Sequence, residues 1–378
     1  MISAKCTLTI DLDIIKNNYQ ALQKICGITE VGAAVKANCY GLGIEKIAPV
    51  LRDSGCKHFF VANKDEGRFL REILIRNNAF DSSNIYVLNG YFTGDKDEFI
   101  RNKLIPVLNS LEQLKLWQDL AQRLNKRLSC ILHIDTGMNR LGMLEHEIEI
   151  LLSGTDLDKI DILCVMSHLS SSEDPDSPAN AEQLMKFQKL SALFPHAKKS
   201  LVNSSGIFLG AKYHFDIARP GVAIYGVNPT PYSLESVIKN PVNLTAPIVQ
   251  IKHLDEGQHI GYNRTYQLSE MHVVATLPLG YADGYLRSLS NKGIVFINDK
   301  PAPVIGRVSM DLITIDVSKI PAEDLFLGQT VEIIGSNMSL DKIANIAGTN
   351  GYEILTMLGN RYHRVYSNEY ELRQSKII

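Results

Sequence analysis

Two patterns of hydrophobic residues, one typical of strands and one typical of helices, alternate along the first two thirds of the chain. From residue 10 to about 230, short apolar runs are separated by segments whose apolar side chains recur every three or four positions. The first helix is predicted to begin at Asp11, a good N-cap residue, because the apolar positions after it follow helical spacing. The short runs are typical of parallel strands buried on both faces. These predicted strands are 31–35, 58–62, 85–88, 105–108, 128–134, 162–166, 200–202 and 223–226.

Eight such strands, most of them followed by a helix-length segment, predict an α/β fold, a (β/α)8 TIM barrel. A doubly wound open sheet is the alternative, which strand counting alone does not exclude. Beyond residue 240 the pattern changes to runs rich in Val, Ile and Thr between glycine turns, which predicts a mainly β C-terminal domain. We expect a barrel domain at 10–239 and a β-rich domain at 240–378 that is joined by an N-terminal strand at 1–9. The second domain's strands are predicted at 248–251, 272–277, 293–297, 312–317 and 330–334, with a helix near 340–346.

Composition narrows the classes of protein. The 378 residues exceed one ordinary domain, and a net charge of −2 without a dense basic run argues against a nucleic-acid partner. No apolar stretch is long enough for a membrane span or a signal peptide. The six cysteines are scattered, so we expect reduced thiols and a cytoplasmic location.

Lys36 follows directly on the first predicted strand. Catalytic groups of a barrel stand at the carboxyl ends of its strands. A lysine at the end of a buried strand is a candidate Schiff-base lysine, because burial lowers its pKa and favours the free amine. A solvated strand-end lysine is the ordinary alternative.

Two turns follow the last two predicted barrel strands and form a candidate phosphate site. Barrels often bind phosphate with the loops after strands seven and eight. Ser204 offers a hydroxyl there, and Gly221 and Val222 offer backbone N–H groups. Ordinary turns are the alternative. Together with Lys36, these residues suggest pyridoxal 5'-phosphate. Arg219 is then a candidate partner for the pyridine nitrogen, which a guanidinium leaves unprotonated.

The chain resembles the alanine racemase family of fold-type-III pyridoxal-phosphate enzymes over nearly its whole length. Ordered motifs across both predicted domains carry the resemblance, which is far more specific than any one of them. They are 34–41 (AVKANCYG), 135–142 (DTGMNRLG), 166–169 (MSHL), 203–205 (NSS), 219–226 (RPGVAIYG), 261–262 (GY), 279–284 (LGYADG), 306–311 (GRVSMD) and 352–355 (YEIL).

The resemblance implies a two-base reaction that interconverts L- and D-alanine and supplies D-alanine for peptidoglycan. Lys36 is then the Schiff-base lysine and the base on the D face, and Tyr262 is the base on the L face. In the family this tyrosine comes from the partner subunit, so a homodimer with shared sites is implied. A chain of contacts from Tyr262 through His168 to Arg219 would favour the phenolate. The implied cofactor contacts are Lys36, Tyr40, His168, Asn203, Ser204, Arg219, Gly221, Val222 and Tyr352, and the implied substrate contacts are Arg140, Met310 and Tyr281.

Two positions depart from the family pattern, His133 and His363. Where many members carry a lysine that becomes carbamylated, this chain has His133, which cannot form a stable carbamate. We hypothesise that a solution anion such as chloride, or a shifted side chain, takes the place of that anion beside Arg140. His133 and Asp135 also resemble metal ligands, but no third ligand stands at the right spacing, so no metal is predicted. His363 stands where the family often has proline, and no function follows from it.

Three rival functions remain. A fold-type-III decarboxylase would use a C-terminal cysteine, and no cysteine follows Cys164. A racemase of broader specificity, for serine, stays open because one hydroxyl is a small difference for a pocket. A non-catalytic cofactor-binding protein would lack the second domain and Tyr262.

Overall fold

The computed structural model describes residues 5–77, 83–154, 157–231 and 237–367. The chain divides into two compact units. We call residues 16–39 and 43–238 the barrel unit, and residues 1–15, 40–42 and 239–378 the β unit. Residues 1–4 of the predicted joining strand and residues 368–378 of the predicted second domain lie outside the described residues. The predicted boundaries at 10, 239 and 240 stay predictions.

The barrel unit is built around a ring of eight parallel strands. The first seven strands pair with one another in sequence order, and the eighth strand pairs with the beginning of the first. The backbone N–H groups of Asp216 and Arg219 donate to Lys199 and Val202, which links the eighth strand to the seventh and closes the ring. The strands are Glu30–Val31 continued by Ala33–Ala34, His58–Val61, Asn84–Val87, Leu104–Leu108, Leu128–His133, Ile160–Met166, Lys198–Ser200 and Ile217–Ala218.

Apolar side chains from six of these strands fill the interior of the ring. Fully buried residues meet there, as in the layers of a barrel core. They are Phe60, Tyr86, Val107, Ile131, Cys164, Met166 and Ile217. The (β/α)8 prediction is confirmed, and the doubly wound alternative is excluded.

The prediction of the eighth strand is wrong. Residues 223–226 lie in the 3-10 helix Val222–Tyr225 and the glycine after it, and the strand is Ile217–Ala218. The segment 223–226 is apolar because the helix is buried, not because it pairs. The seventh strand likewise begins earlier than predicted, at Lys198.

Helices connect the strands and end at recognisable residues. Asp11 caps the first helix, since its Oδ1 accepts from the Ile14 backbone N–H at 2.9 Å. Asn125 ends Leu111–Leu124 in the left-handed conformation. The α-helices are Leu12–Cys26, Ile44–Asp53, Lys64–Asn77, Lys96–Arg101, Leu111–Leu124, Glu145–Gly154, Pro178–Ser191, Leu340–Ala347 and Gly351–Met357, with a kinked turn at Lys36–Tyr40. The 3-10 helices are Thr93–Asp95, Ser205–Leu209, Ala211–Tyr213, Val222–Tyr225, Tyr262–Arg264, Tyr281–Asp283, Arg287–Leu289 and Ala322–Asp324.

The β unit contains a nine-stranded, largely antiparallel sheet, which confirms the predicted class of this region. Thr7–Asp11 lies between Val242–Pro247 and His363–Ser367 in that sheet. The predicted strand 248–251 is wrong in its bounds, because it spans the break between two observed strands. The remaining strands are Gln250–Leu254, His259–Ile260, Tyr266–Gln267, His272–Leu277, Ile294–Ile297, Lys300–Ile305, Ile313–Asp316 and Thr330–Ile334, of which His259–Ile260 and Tyr266–Gln267 form a separate hairpin. No helix within the described ranges is long and apolar enough to cross a membrane.

Candidate active site

Lys36 opens an unusual backbone turn after the first barrel strand. Three of the following residues are left-handed, with φ of 51° at Ala37, 56° at Asn38 and 54° at Cys39. Left-handed backbone costs roughly 1–2 kcal/mol for each non-glycine residue. Such strain persists only where the surroundings fix it, and it clusters at functional sites. The geometry therefore supports Lys36 as a candidate site residue.

Glu66 fixes this turn through two backbone contacts. Its Oε1 accepts from the Ala37 N–H at 2.8 Å, and its Oε2 accepts from the Ala62 N–H at 2.7 Å. A carboxylate that binds two amides makes charge-assisted hydrogen bonds, which are stronger than neutral ones. Asn38 adds a third tie, because its Oδ1 accepts from the Ile44 N–H at 2.8 Å. The strained turn is thus held from both sides.

The sequence analysis missed Glu66, although the chain carries a signal for it. The Asn63 Oδ1 accepts from the Glu66 N–H at 3.0 Å, where the helix Lys64–Asn77 begins. An N-cap type of residue followed three positions later by Glu is the pattern of a capping box. Here the carboxylate reaches past its own helix to the Lys36 turn.

Lys36 lies in a setting that favours its neutral amine. Partial burial is the main cause that lowers its pKa, and the positive charge of Arg140 adds to it. The Glu66 carboxylate opposes both effects. A lysine with a lowered pKa is the form that nucleophilic catalysis uses.

Ser204 and the residues after the eighth strand form a compact polar cradle. The Ser204 hydroxyl accepts from the backbone N–H of Gly221 at 2.9 Å and of Ala223 at 3.2 Å, and its own proton has no acceptor among the described residues. The Val222 N–H opens the 3-10 helix and has no acceptor among the residues that the structure describes. Ser205 is buried, and its hydroxyl has no partner in that same part of the chain. Convergent, unsatisfied donors of this kind suit an anion.

Asn203 supports the cradle from behind. Its Oδ1 accepts from the Ser172 hydroxyl at 2.8 Å and from the Gly206 N–H at 2.9 Å. These bonds hold the backbone of the Asn-Ser-Ser segment, which positions the Ser204 hydroxyl.

Arg219 is buried and anchored by backbone and hydroxyl oxygens. Its guanidinium donates to Ser200 Oγ at 2.5 Å, to the Ser167 carbonyl at 2.5 Å and to the Leu201 carbonyl at 3.3 Å. Burial lowers its pKa to about 10, so it remains charged at neutral pH. Its Nε–H donates to no acceptor in the described part of the chain and is free for a bound group.

A shallow surface depression is lined by His133, Asp135, Met138, Arg140, Leu141, Ser167 and His168. Burial and the charges of Arg219 and Arg140 hold the pKa of His168 well below its usual value. Burial and the charge of Arg219 likewise lower the pKa of His133 to about 4, so both histidines are neutral at physiological pH. The structure thus brings Lys36, Arg140, His168 and Arg219 into one electrostatic cluster. No hydrogen bond joins the His168 ring to Arg219 among the described residues.

The β unit brings together two other predicted cofactor contacts. The rings of Tyr40 and Tyr352 lie 6.4 Å apart between centroids, at 52°. The segment that follows Tyr40 packs closely, because a Cβ on Gly41 would lie 2.5 Å from the Leu355 carbonyl oxygen. Arg364 donates to the Gly41 carbonyl at 2.7 Å and fixes the same segment.

Three further predicted residues of the β unit are exposed. Tyr262 is 71% exposed, Met310 53% and Tyr281 41%. Tyr281 and Met310 stand on touching segments, since the Met310 carbonyl accepts from the Ala282 N–H at 3.0 Å. A Cβ on Gly280 would lie 2.3 Å from the same oxygen, so this approach requires glycine.

No group of three or more His, Cys, Asp or Glu side chains in the described ranges is placed to hold a metal ion.

Sequence models of the alanine racemase N-terminal and C-terminal domains match residues 10–229 and 241–366. The alanine racemase of Rickettsia canadensis is 52% identical over 96% of this chain and 99% of its own, and that of Rickettsia conorii is 52% identical with the same coverage. The chain belongs to the alanine racemase family.

Solved structures of family members agree in fold. Alanine racemase from Bartonella henselae, described with covalently bound pyridoxal phosphate, has a TM-score of 0.92 and 38% identity over 97% of this chain and all of its own. The biosynthetic alanine racemase of Pseudomonas aeruginosa has a TM-score of 0.87 and 28% identity over the same shares. The resemblance seen in the motifs is confirmed, and the chain is an enzyme of the amino-acid racemase class.

Proposed function

We propose that this enzyme interconverts L-alanine and D-alanine with pyridoxal 5'-phosphate held at the mouth of its barrel. The observation that carries the cofactor proposal is the buried cradle of the Ser204 hydroxyl and the Val222 N–H, which fits a phosphate. The orphaned hydroxyl of Ser205 beside it agrees with an added acceptor. The Bartonella relative with covalently bound pyridoxal phosphate supports the same assignment.

The proposed cofactor contacts begin with Arg219. Arg219 would direct its free Nε–H to the pyridine nitrogen, which keeps that nitrogen unprotonated because a guanidinium does not release its proton. The remaining proposed contacts are Tyr40, His168, Asn203, Gly221 and Tyr352. Pyridoxal phosphate supplies an electron-accepting ring that makes the α-proton of a bound amino acid acidic.

Two bases of this chain would move that proton. Lys36 Nζ takes it from or returns it to one face of the α-carbon, with an amine kept available by its lowered pKa. Tyr262 Oη of the partner subunit acts on the opposite face, with His168 and Arg219 behind it. Two bases on opposite faces avoid the movement that a single base would need. The exposure of Tyr262 supports this role in a homodimer with shared sites.

Arg140, Met310 and Tyr281 would hold and enclose the substrate. The Arg140 guanidinium would attract the substrate carboxylate. Met310 would meet the same carboxylate, and Tyr281 would narrow the entrance. We also propose that the barrel domain spans 10–239 and the β-rich domain spans 240–378.

We further propose a cytoplasmic enzyme that supplies D-alanine for peptidoglycan. The absence of paired cysteines agrees with a reducing location, since all six are free and buried.

A chiral assay tests the reaction. Purified protein with pyridoxal phosphate is given L-alanine, with L-serine, L-lysine and L-glutamate in parallel. We expect D-alanine to form fastest and to approach an equal mixture. Racemisation of another amino acid with alanine unchanged would overturn the substrate, and loss of carbon dioxide would overturn the reaction.

A further inference from the structure

Gln183 is a buried polar residue on the helix Pro178–Ser191, which follows the sixth barrel strand, and it is 2% exposed. Its Nε2 donates to the His168 carbonyl at 3.0 Å and to the Thr136 hydroxyl at 3.1 Å. Its Oε1 accepts from the backbone N–H of Ser170 at 2.8 Å and from the hydroxyl of the same residue at 3.1 Å. A side-chain amide has two donor hydrogens and two acceptor lone pairs, so these four bonds use its whole capacity.

These partners fix the orientation of the Gln183 amide. The His168 carbonyl only accepts and the Ser170 N–H only donates, so a flipped amide would lose both bonds. Each buried group left unpaired in this way costs roughly 1–3 kcal/mol. Gln183 therefore holds, in one defined geometry, the two consecutive peptide groups on either side of Leu169.

The ring of His168 has no anchor of its own, because neither ring nitrogen makes a hydrogen bond to another residue within the described ranges. Its place therefore depends on the backbone from which it projects. On the N-terminal side, Ser167 is fixed, since its N–H donates to the Ser200 carbonyl at 3.0 Å and its carbonyl accepts from Arg219. On the C-terminal side, the hydrogen bonds of Gln183 provide the matching support.

Gln183 also connects the segments that follow the fifth and sixth barrel strands. Thr136 belongs to the first of these, which carries Arg140, and Ser167 to the second, which carries His168. The hydroxyls of Thr136 and Ser167 are buried and share a hydrogen bond at 2.8 Å. Because Gln183 donates to Thr136 as well as to the His168 carbonyl, one amide supports both segments.

We propose that Gln183 is a positioning residue that sets the place of the His168 ring. The proposal rests on the proposed function in that His168 stands behind Tyr262, the base that acts on L-alanine. The helix does not need the amide for its attachment, because Leu184, Phe187 and Leu190 of the same helix are buried as well. The four polar contacts instead serve the loop that carries the histidine.

Nuclear magnetic resonance of ¹⁵N-histidine-labelled full-length protein, with pyridoxal phosphate present, tests the place of the ring. A His168→Asn variant assigns its signals. Burial is the main cause that holds the pKa of His168 well below its usual value, and four nearby groups add to it, namely Arg219, Arg140, His133 and Lys36. The parent ring should therefore not titrate between pH 5.5 and 8.5 (roughly the window over which a free histidine charges).

Gln183→Met removes all four bonds, so the ring should move toward solvent and titrate within that window, since its burial is reduced. Gln188→Met is the matched control, because Gln188 is exposed on the same helix and its side chain makes no hydrogen bond in the described part of the chain. It should leave the His168 signals as in the parent. A His168 ring that does not titrate in the Gln183→Met variant, or equal changes in the control, would overturn the proposal.

Isotope effects test the consequence for the reaction. Gln183→Met should lower turnover roughly 10- to 100-fold, as for a displaced catalytic group. Because the proposed Tyr262 step is the one that slows, the deuterium isotope effect on kcat/KM should rise with α-deuterated L-alanine and fall with α-deuterated D-alanine, on which Lys36 acts. Gln188→Met should change neither value. Isotope effects that stay at the parent values for both enantiomers would contradict the proposal.

A second variant covers a failure of Gln183→Met to fold. Gln183→Glu has the same size and still accepts from Ser170, but it no longer donates to the His168 carbonyl. It should shift the two isotope effects in the same opposite directions, and parent values for both would count against the proposal. Should the protein not racemise alanine at all, the proposed function fails, while the resonance experiment still decides whether Gln183 positions His168.

Discussion

The candidate residues of the barrel unit and of the β unit differ in how far this chain organises them. In the barrel unit, Arg219, Ser204 and the turn after Lys36 are tied by hydrogen bonds to neighbouring strand ends. In the β unit, Tyr262 and Met310 project from well-packed backbone into solvent. The barrel residues are therefore fixed by bonds of their own chain, whereas the side chains of Tyr262 and Met310 are exposed.

The largest expected effect comes from the barrel side. Lys36→Ala should reduce racemisation by roughly 10³-fold or more, because the proposed base and cofactor-binding amine are both lost. Turnover is measured by the chiral assay, and covalent cofactor attachment by mass spectrometry. Lys46→Ala removes an exposed lysine from the following helix and should leave activity unchanged. Full activity of Lys36→Ala would defeat the assignment.

Tyr262→Phe tests the exposed tyrosine of the β unit as the second base. It should reduce turnover by about 10²–10⁴-fold, the contribution of one acid–base group, while cofactor stays bound. The exposure of Tyr262 makes a loss of stability small, so thermal unfolding should shift little. Unchanged rates in both directions would remove Tyr262 from the mechanism.

Glu66→Gln tests whether the left-handed turn is prepared in advance. Gln keeps one acceptor and loses one charge-assisted bond, so activity should fall roughly tenfold or more. Removing the carboxylate also removes the one charge that raises the pKa of Lys36. That pKa should fall, and the pH at which apoprotein captures pyridoxal phosphate should move to lower values.

Glu72→Gln is the matched control, because Glu72 lies on the same helix and pairs with Arg68 at the surface. It should change neither activity nor the capture profile. Equal behaviour of the two variants would show that Glu66 does not position Lys36.

The smallest effect concerns the cradle. Ser204→Ala should weaken pyridoxal-phosphate binding by about tenfold, since it removes one donor and leaves the N–H groups of Gly221 and Ala223 unpaired. Equilibrium titration of apoprotein measures this. Ser129→Ala, at the start of a barrel strand, is the control, and an equal loss there would contradict a specific role for Ser204.

The sequence predicted the barrel because a parallel strand buried on both faces leaves a continuous apolar run. It failed at Ile217–Ala218, whose two residues are a strand only through pairing with Glu30–Val31 far away in the chain. It also failed at Lys300–Ile305, where Pro301 and Pro303 argue against a strand inside a sheet. The sheet accommodates the two prolines because the neighbouring strand Ile313–Asp316 pairs only with Val304 and Ile305.

The candidate site likewise has residues that the sequence predicts and residues that it does not. Lys36, Ser204 and Arg219 stand at strand ends, which a barrel prediction selects. Glu66 acts by binding backbone N–H groups that folding brings near, and its capping pattern with Asn63 predicts only the start of a helix.

Subunit mixing is the measurement that most directly tests the central claim of a site shared between two copies. Lys36→Ala and Tyr262→Phe proteins are each assayed alone, then unfolded together and refolded as an equal mixture. If Lys36 of one copy works with Tyr262 of the other, mixed dimers hold one intact site, and activity should recover to about a quarter of the parent value. If the mixture stays as inactive as its parts although mixed dimers form, the two residues do not act across subunits, and the account is contradicted.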